Sequence, residues 1–178
     1  MRPILHFVFP ISLLASGCGG NIYGYSRTYE PLSEEAPFYE SGESPAYADV
    51  RRDPADFGAK RIAWFGVVKQ LRAQGGKTLV SLSHRAHWER HLCSDMETET
   101  CRVTVQERTE GDFSALVSLR PDDAGGQNRV QVNSLLRVYG KPNGEYDASG
   151  GPILVGDYYR HWPRGQYVTT AARSHMRR

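Results

Sequence analysis

Between residues 61 and 71 apolar side chains occupy both alternating sets of positions. Ile62, Trp64 and Val68 fall on one side, Ala63, Phe65 and Val67 on the other, with Gly66 at the centre. This pattern predicts a long first strand that bends at the glycine. Gln74-Gly75-Gly76-Lys77 is a turn, and residues 78–83 then alternate Thr78, Val80, Leu82 against Leu79, Ser81, Ser83, a second strand that pairs with the first. After a loop over 94–100, Cys101, Val103 and Val105 alternate with Arg102, Thr104 and Gln106, and Phe113, Ala115, Val117 and Leu119 continue beyond Gly111. That is a third strand, bulged or broken near Gly111. The Pro121-Asp122-Asp123-Ala124-Gly125-Gly126 run turns the chain, residues 130–140 supply a fourth strand, Lys141-Pro142-Asn143-Gly144 opens a connection, and residues 152–159 supply the fifth. Five strands, the first strongly bent and joined through Gly and Pro, predict a mainly β fold. The expected architecture is a small five-stranded Greek-key (OB-like) barrel, with a β-sandwich as the alternative.

The flanks lack such patterns. Residues 18–50 hold no aliphatic run long enough for a core, and Glu30, Glu34, Glu35, Glu40, Glu43 and Asp49 face only Arg27 in charge. A solvated, flexible tether is expected there, with an r.m.s. span of roughly 30 Å. Its tyrosines Tyr23, Tyr25, Tyr29, Tyr39 and Tyr47 are expected to be aromatic spots in a loose arm, the alternatives being groups that pack on the domain or rest at the membrane interface. Residues 50–60, which carry Pro54, suit a short turn or helix leading into a barrel domain over 51–165. Residues 166–178 form a basic tail, whose Arg173, Arg177 and Arg178 could touch anionic headgroups.

Residues 1–17 have the layout of a secretory signal peptide. Arg2 is the positive start, residues 4–14 are the apolar stretch, and small residues follow where a cut would fall. The apolar run is too short for a lasting membrane span. Leu14-Ala15-Ser16-Gly17-Cys18 resembles the lipobox of bacterial lipoproteins, with Ala15 where that family prefers Leu. The resemblance implies that Cys18 becomes the acylated N-terminus and that its acyl chains anchor the protein in a membrane. Gly19 is not the aspartate of an inner-membrane retention signal, so the outer membrane is the expected destination.

Composition narrows this further. The net charge of +2 argues against a protein that binds polyanions as a whole. Cys93 and Cys101 form an even pair in a chain bound for an oxidising compartment, so a disulfide is expected, enclosing a loop with Asp95, Glu97 and Glu99.

Four further segments carry a second resemblance: Asp56-Phe57-Gly58-Ala59-Lys60-Arg61-Ile62-Ala63-Trp64-Phe65-Gly66, Gly111-Asp112-Phe113-Ser114-Ala115, Asn133-Ser134-Leu135-Leu136-Arg137-Val138-Tyr139-Gly140 and Tyr158-Tyr159-Arg160-His161-Trp162. Over roughly residues 56–162 the chain is similar to the Slp-type outer-membrane lipoproteins, which pair a lipobox with an OB-like barrel. Phe65 stands where that family places tandem glycines after the tryptophan.

Candidate chemistry is sparse. His84, His87 and His91 would share one face of a helix and could then hold zinc, which would make the chain an envelope metal-binding protein. On a strand His84 is separated from His87 and His91, and surface histidines on an extended arm are the plainer expectation. There is no G-x-S-x-G, no HExxH, no phosphate-cradling loop and no nucleophile with a local base, so neither an enzyme nor a cofactor is expected. Asp122-Asp123 is expected to be a solvated turn. Trp64, Phe65, Tyr139, Tyr158, Tyr159 and Trp162 with Arg137, Arg160 and Arg164 could form a stacking groove of the kind OB barrels use. Export to the envelope argues against nucleic acid and leaves glycan, lipopolysaccharide or an envelope protein as partners.

Overall fold

A computed structural model describes residues 25–88, 90–93 and 101–175. The signal segment, Cys18, the 94–100 loop and Arg177 and Arg178 lie outside the described residues. In chain order the elements are β1 (Tyr25–Thr28), α1 (Ala36–Ser41), α2 (Tyr47–Arg52), β2 (Ile62–Gln74), β3 (Lys77–His87), β4 (Arg90–Cys93), β5 (Val103–Val117), α3 (Pro121–Ala124), β6 (Leu135–Tyr146), β7 (Pro152–Trp162) and β8 (Tyr167–Thr169).

Five strands close into a barrel in the order β3-β2-β6-β7-β5, with β3 pairing back onto β5. All these pairs are antiparallel except β5 with β7. Counting barrel strands along the chain, neighbours run first, second, third, fifth, fourth and back to first, with α3 between the third and fourth. This is the OB-like Greek-key barrel; the sandwich does not form.

Alternation along β2 explains why its two faces are both apolar. Ile62, Trp64 and Val68 point into the barrel, where they meet Val80, Leu82, Phe113, Leu136, Val138 and Leu154. Phe65 and Val67 point outward into a second cluster with Tyr29, Val103, Val105, Leu135 and Trp162. Gly66 makes the interior possible, because a Cβ there would stand 2.8 Å from both Leu82 Cβ and the Phe113 ring. The register shift of β2 falls two residues later, between Val68 and Gln70. Gly75 and Gly76, at φ 56° and 76°, make the tight β2–β3 turn that their sequence signalled.

Several boundaries differ from the sequence expectation, and β6 starts at Leu135 rather than at residue 130. Within the expected tether, Tyr29, Glu35, Tyr47 and Val50 are buried, so residues 29–50 are a layer of the domain and not a solvated arm. Tyr29 packs into the second cluster, while Tyr47 and Val50 join the barrel-core cluster. Residues 141–144 continue β6, which carries an irregularity between Pro142 and Tyr146, and the chain turns instead at residues 147–151. The third strand is continuous through Gly111 and carries the expected irregularity there, its register against β3 shifting between Asp112 and Thr109, and the Tyr47 ring occupies the space a Cβ of Gly111 would need. At the C-terminal end β8 pairs with β5 in parallel, so residues 167–169 belong to the sheet and not to a loose tail.

The Cys93–Cys101 disulfide is present. It ties the end of β4, a short strand paired with β1, to the residues entering β5. With a sequence separation of 8, its loop restricts the unfolded chain by about 2.5 kcal/mol on the chain-entropy model. The double variant Cys93→Ser/Cys101→Ser is expected to lose roughly 2 kcal/mol in urea unfolding. Midpoints that coincide with the unreduced parent would remove the bridge from the account of stability.

Candidate functional site

At one end of the barrel, β2, β3, β5 and the 147–151 turn enclose an open cleft of about 490 Å³. Leu79 and Ile153 give its lining an apolar part, and Gln70, Arg72, Gln74, Ser81 and Tyr146 line it as well. Strand alternation puts these side chains outside, since Val80, Leu82, Phe113 and Ala115 take the inward positions on β3 and β5. The cleft is held from beneath. Asp147 Oδ1 accepts hydrogen bonds from the Ser149 N–H at 2.8 Å and the Gly151 N–H at 3.0 Å, and Oδ2 accepts from Ser114 Oγ at 2.6 Å. Burial alone would raise the Asp147 carboxyl, but these hydrogen bonds outweigh it and hold the group below its ordinary value. Lys69 Nζ lies 2.5 Å from Asp112 Oδ2. Tyr146 is 48% exposed, while its hydroxyl donates to the Arg51 carbonyl at 3.1 Å, which fixes the ring over the cleft.

The aromatic and arginine residues expected to line a groove do not form one. Trp64 is 2% exposed and sits in the barrel core with its indole N–H on the Pro45 carbonyl. Phe65, Tyr139 and Arg137 are equally buried, beneath the layer formed by residues 29–50. Tyr139 and Arg137 converge on Glu35, which is fully buried. Its carboxylate accepts from Tyr139 Oη at 2.6 Å, from Arg160 at 2.9 Å, from the Leu32 N–H at 3.1 Å and from Tyr29 Oη. The Arg137 guanidinium lies 3.8 Å from the same carboxylate and is enclosed by the rings of Tyr29, Tyr39, Phe65 and Tyr139 at 4.7–5.0 Å. Desolvation would raise the Glu35 carboxyl; the hydrogen bonds from Tyr139 and Tyr29 and the Arg160 charge prevail and lower it.

No family model, curated protein or solved structure matches this chain.

The three histidines are divided by the pleat of β3. His84 packs beside Tyr47, Trp64 and Phe113, with its Nδ1 3.3 Å from a Glu110 carboxylate oxygen. His87 points the other way and stacks on Phe65, while His91 on β4 stacks on Tyr29. The expectation of surface histidines is thus corrected: His84 and His91 are buried and His87 is half-buried, because the N-terminal layer covers this end of β3. Among the described residues no group of three or more His, Cys, Asp or Glu converges to hold a metal ion. Burial lowers both His84 and His87 to about 4.

A further constellation carries no sequence signal. Asp123 Oδ1 lies 2.9 Å from His161 Nδ1, and His161 Nε2 lies 3.1 Å from Ser134 Oγ, 27 residues away in the chain. The order acid, imidazole, hydroxyl is that of a hydrolase triad. Burial decides against that chemistry, since Ser134 is 0% exposed and accepts the Gln131 N–H, so no acyl carbon can approach its oxygen. Asp123 is no solvated turn residue. Its Oδ2 accepts from Tyr159 Oη at 2.6 Å and from Arg120 Nε at 2.7 Å, which fastens the α3 connection to β7. Asp122 alone is exposed, as expected of both.

Proposed function

We propose that this chain is a non-enzymatic lipoprotein of the bacterial cell envelope, held in the outer membrane by acyl groups on Cys18, with the barrel serving as a binding module. The carrying observation is the Leu14-Ala15-Ser16-Gly17-Cys18 run behind an apolar leader. The oxidised Cys93–Cys101 pair suits an exported chain. Among the described residues, the triad-like set of Asp123, His161 and Ser134 has its hydroxyl fully buried, which supports binding over catalysis.

Packing of residues 29–50 changes what the anchor does. Six residues, 19–24, separate Cys18 from β1, and six residues span at most ~22 Å when fully extended. The barrel is therefore held close to the bilayer rather than clear of it. β1 pairs with β4 near His87, at one end of β3, and the cleft uses Leu79 and Ser81 near the other. The eight steps of strand from Leu79 to His87 cover roughly 26 Å, so the cleft opens on the end remote from the anchor. By analogy of fold, the second and third strands of OB barrels are a common ligand face.

Replacing the cysteine tests the reading. The Cys18→Ser chain is expected to leave the membrane fraction and to lose the mass of its acyl groups. Retention of the variant in outer membranes, with unchanged mass, would overturn the anchor.

A further inference from the structure

We infer that the cleft between β2, β3, β5 and the 147–151 turn is a binding site for an uncharged oligosaccharide. The inference deepens the binding-module reading and rests on it. Three features of the lining select this class. The first is charge balance. Lys69 is matched by Asp112 at 2.5 Å, and the single remaining cation of the lining, Arg72, donates to the Gln74 carboxamide oxygen at 3.3 Å, with the Asp147 carboxylate in the same lining. A polyanion needs a run of uncompensated cations to replace its counterions, and this cleft has none of that character.

The second is the kind of polar group. Gln70 brings a carboxamide with two donors and an acceptor, Gln74 keeps its two amide donors while its oxygen accepts from Arg72 at 3.3 Å, and Ser81 brings a hydroxyl that stands 3.4 Å from Ser114 Oγ. Neutral donors and acceptors in alternation match sugar hydroxyls, which also do both. The third is the platform. A sugar ring presents C–H groups on one face, and the Tyr146 ring with Leu79 and Ile153 offers a complementary apolar surface. The ring is fixed before any ligand arrives, because its hydroxyl is bonded to the Arg51 and Arg52 carbonyls at 3.1 and 3.4 Å. Preorganisation of this kind reduces the entropy lost on binding. The cleft volume of about 490 Å³ lies within the range of small-ligand sites.

The test titrates the full Cys18→Ser chain, so that acylation does not enter, with tri-N-acetylchitotriose, maltotriose, a heparin hexasaccharide and the oligonucleotide dT10, read by calorimetry. Saturable binding of at least one neutral sugar is expected, with none for heparin or dT10. Tyr146→Ala should weaken that binding about tenfold, the equivalent of a lost ring contact of about 1.4 kcal/mol. Tyr146→Phe should keep it within about threefold, since the platform survives, and Gln70→Ala should weaken it without moving the melting temperature. Binding of heparin or dT10 that is lost in Tyr146→Ala would overturn the sugar assignment and leave the cleft as a binding site. Absence of binding by all four probes would overturn both, as would neutral-sugar binding that neither Tyr146→Ala nor Gln70→Ala reduces.

Discussion

Glu35→Gln is expected to destabilise the chain by about 3–5 kcal/mol, the range for removing one partner from a buried ion pair. The loss comes from what remains. Arg137 is 8% exposed and Arg160 20% exposed at the side chain, and a guanidinium cannot shed its proton to escape an uncompensated site. Glutamine can still accept from one tyrosine, yet it supplies no charge and turns two N–H donors toward the two arginines. For a chain of this length the melting temperature should fall by roughly 10–15 °C. Glu34→Gln is the internal control. The Glu34 side chain is 60% exposed, and its contact with Arg120 at 3.3 Å is of the surface kind, worth under about 1 kcal/mol. Equal melting temperatures for the two variants would show that the Glu35 cluster is not what holds residues 29–50 against the barrel.

That cluster also shows where sequence reading stops. All five barrel strands are legible because each carries its own alternation, and the Gly75-Gly76 turn announces itself through residues that tolerate positive φ. The N-terminal layer is illegible for a physical reason. Composition ranks residues 18–50 as solvated by counting acids, while one of those acids is buried by Tyr139 and Arg160, 104 and 125 residues further along. No local window contains both halves of the interaction. The same aromatic and arginine residues therefore looked like an open groove, since nothing in their own neighbourhood says that Tyr29 and Glu35 will cover them.

The cleft was hidden differently. Ser81 and Ser114 stand 33 residues apart, and each reads as the ordinary polar side of a half-buried strand until β3 and β5 pair. Tyr146 fell in what the sequence marked as a connection. The signal that could have found it is a lone exposed aromatic beside polar strand faces at the mouth of a five-stranded barrel. Asp123, His161 and Ser134 had no such signal, because a solvated-looking turn, a strand residue and a loop hydroxyl acquire their relation only through the closure of β6 on β7.

Acidification from pH 7.5 to pH 5 is expected to lower the unfolding free energy by about 4 kcal/mol, well before the carboxylates titrate. In the unfolded chain His84 and His87 take up protons near their ordinary value of 6.5, whereas burial holds them near 4 in the fold. For a base whose folded value is depressed, stability is complete above 6.5 and declines through the window down to about 4, since the unfolded state binds the extra protons. At pH 5 each histidine accounts for about 2 kcal/mol. His91 and His161 are lowered by burial too and act in the same sense. The groups facing His87 add to the effect, since Arg137 repels its protonated form and His91 stands 6.3 Å away between the centroids of the two rings, whereas the Glu110 carboxylate 3.3 Å from His84 Nδ1 favours the protonated form there and is outweighed by burial. Glu35, Asp123 and Asp147 are held below their ordinary values, so their contribution fails only at still lower pH. His87→Phe separates these causes. It keeps a ring stacked on Phe65 but cannot be protonated, and should remove about half of the loss between pH 7.5 and 5 while leaving stability at pH 7.5 within about 1 kcal/mol. Identical urea midpoints for the parent at the two pH values, or an unchanged pH slope in the variant, would mean that the imidazoles beneath the N-terminal layer reach solvent, and that this layer does not seal the end of β3.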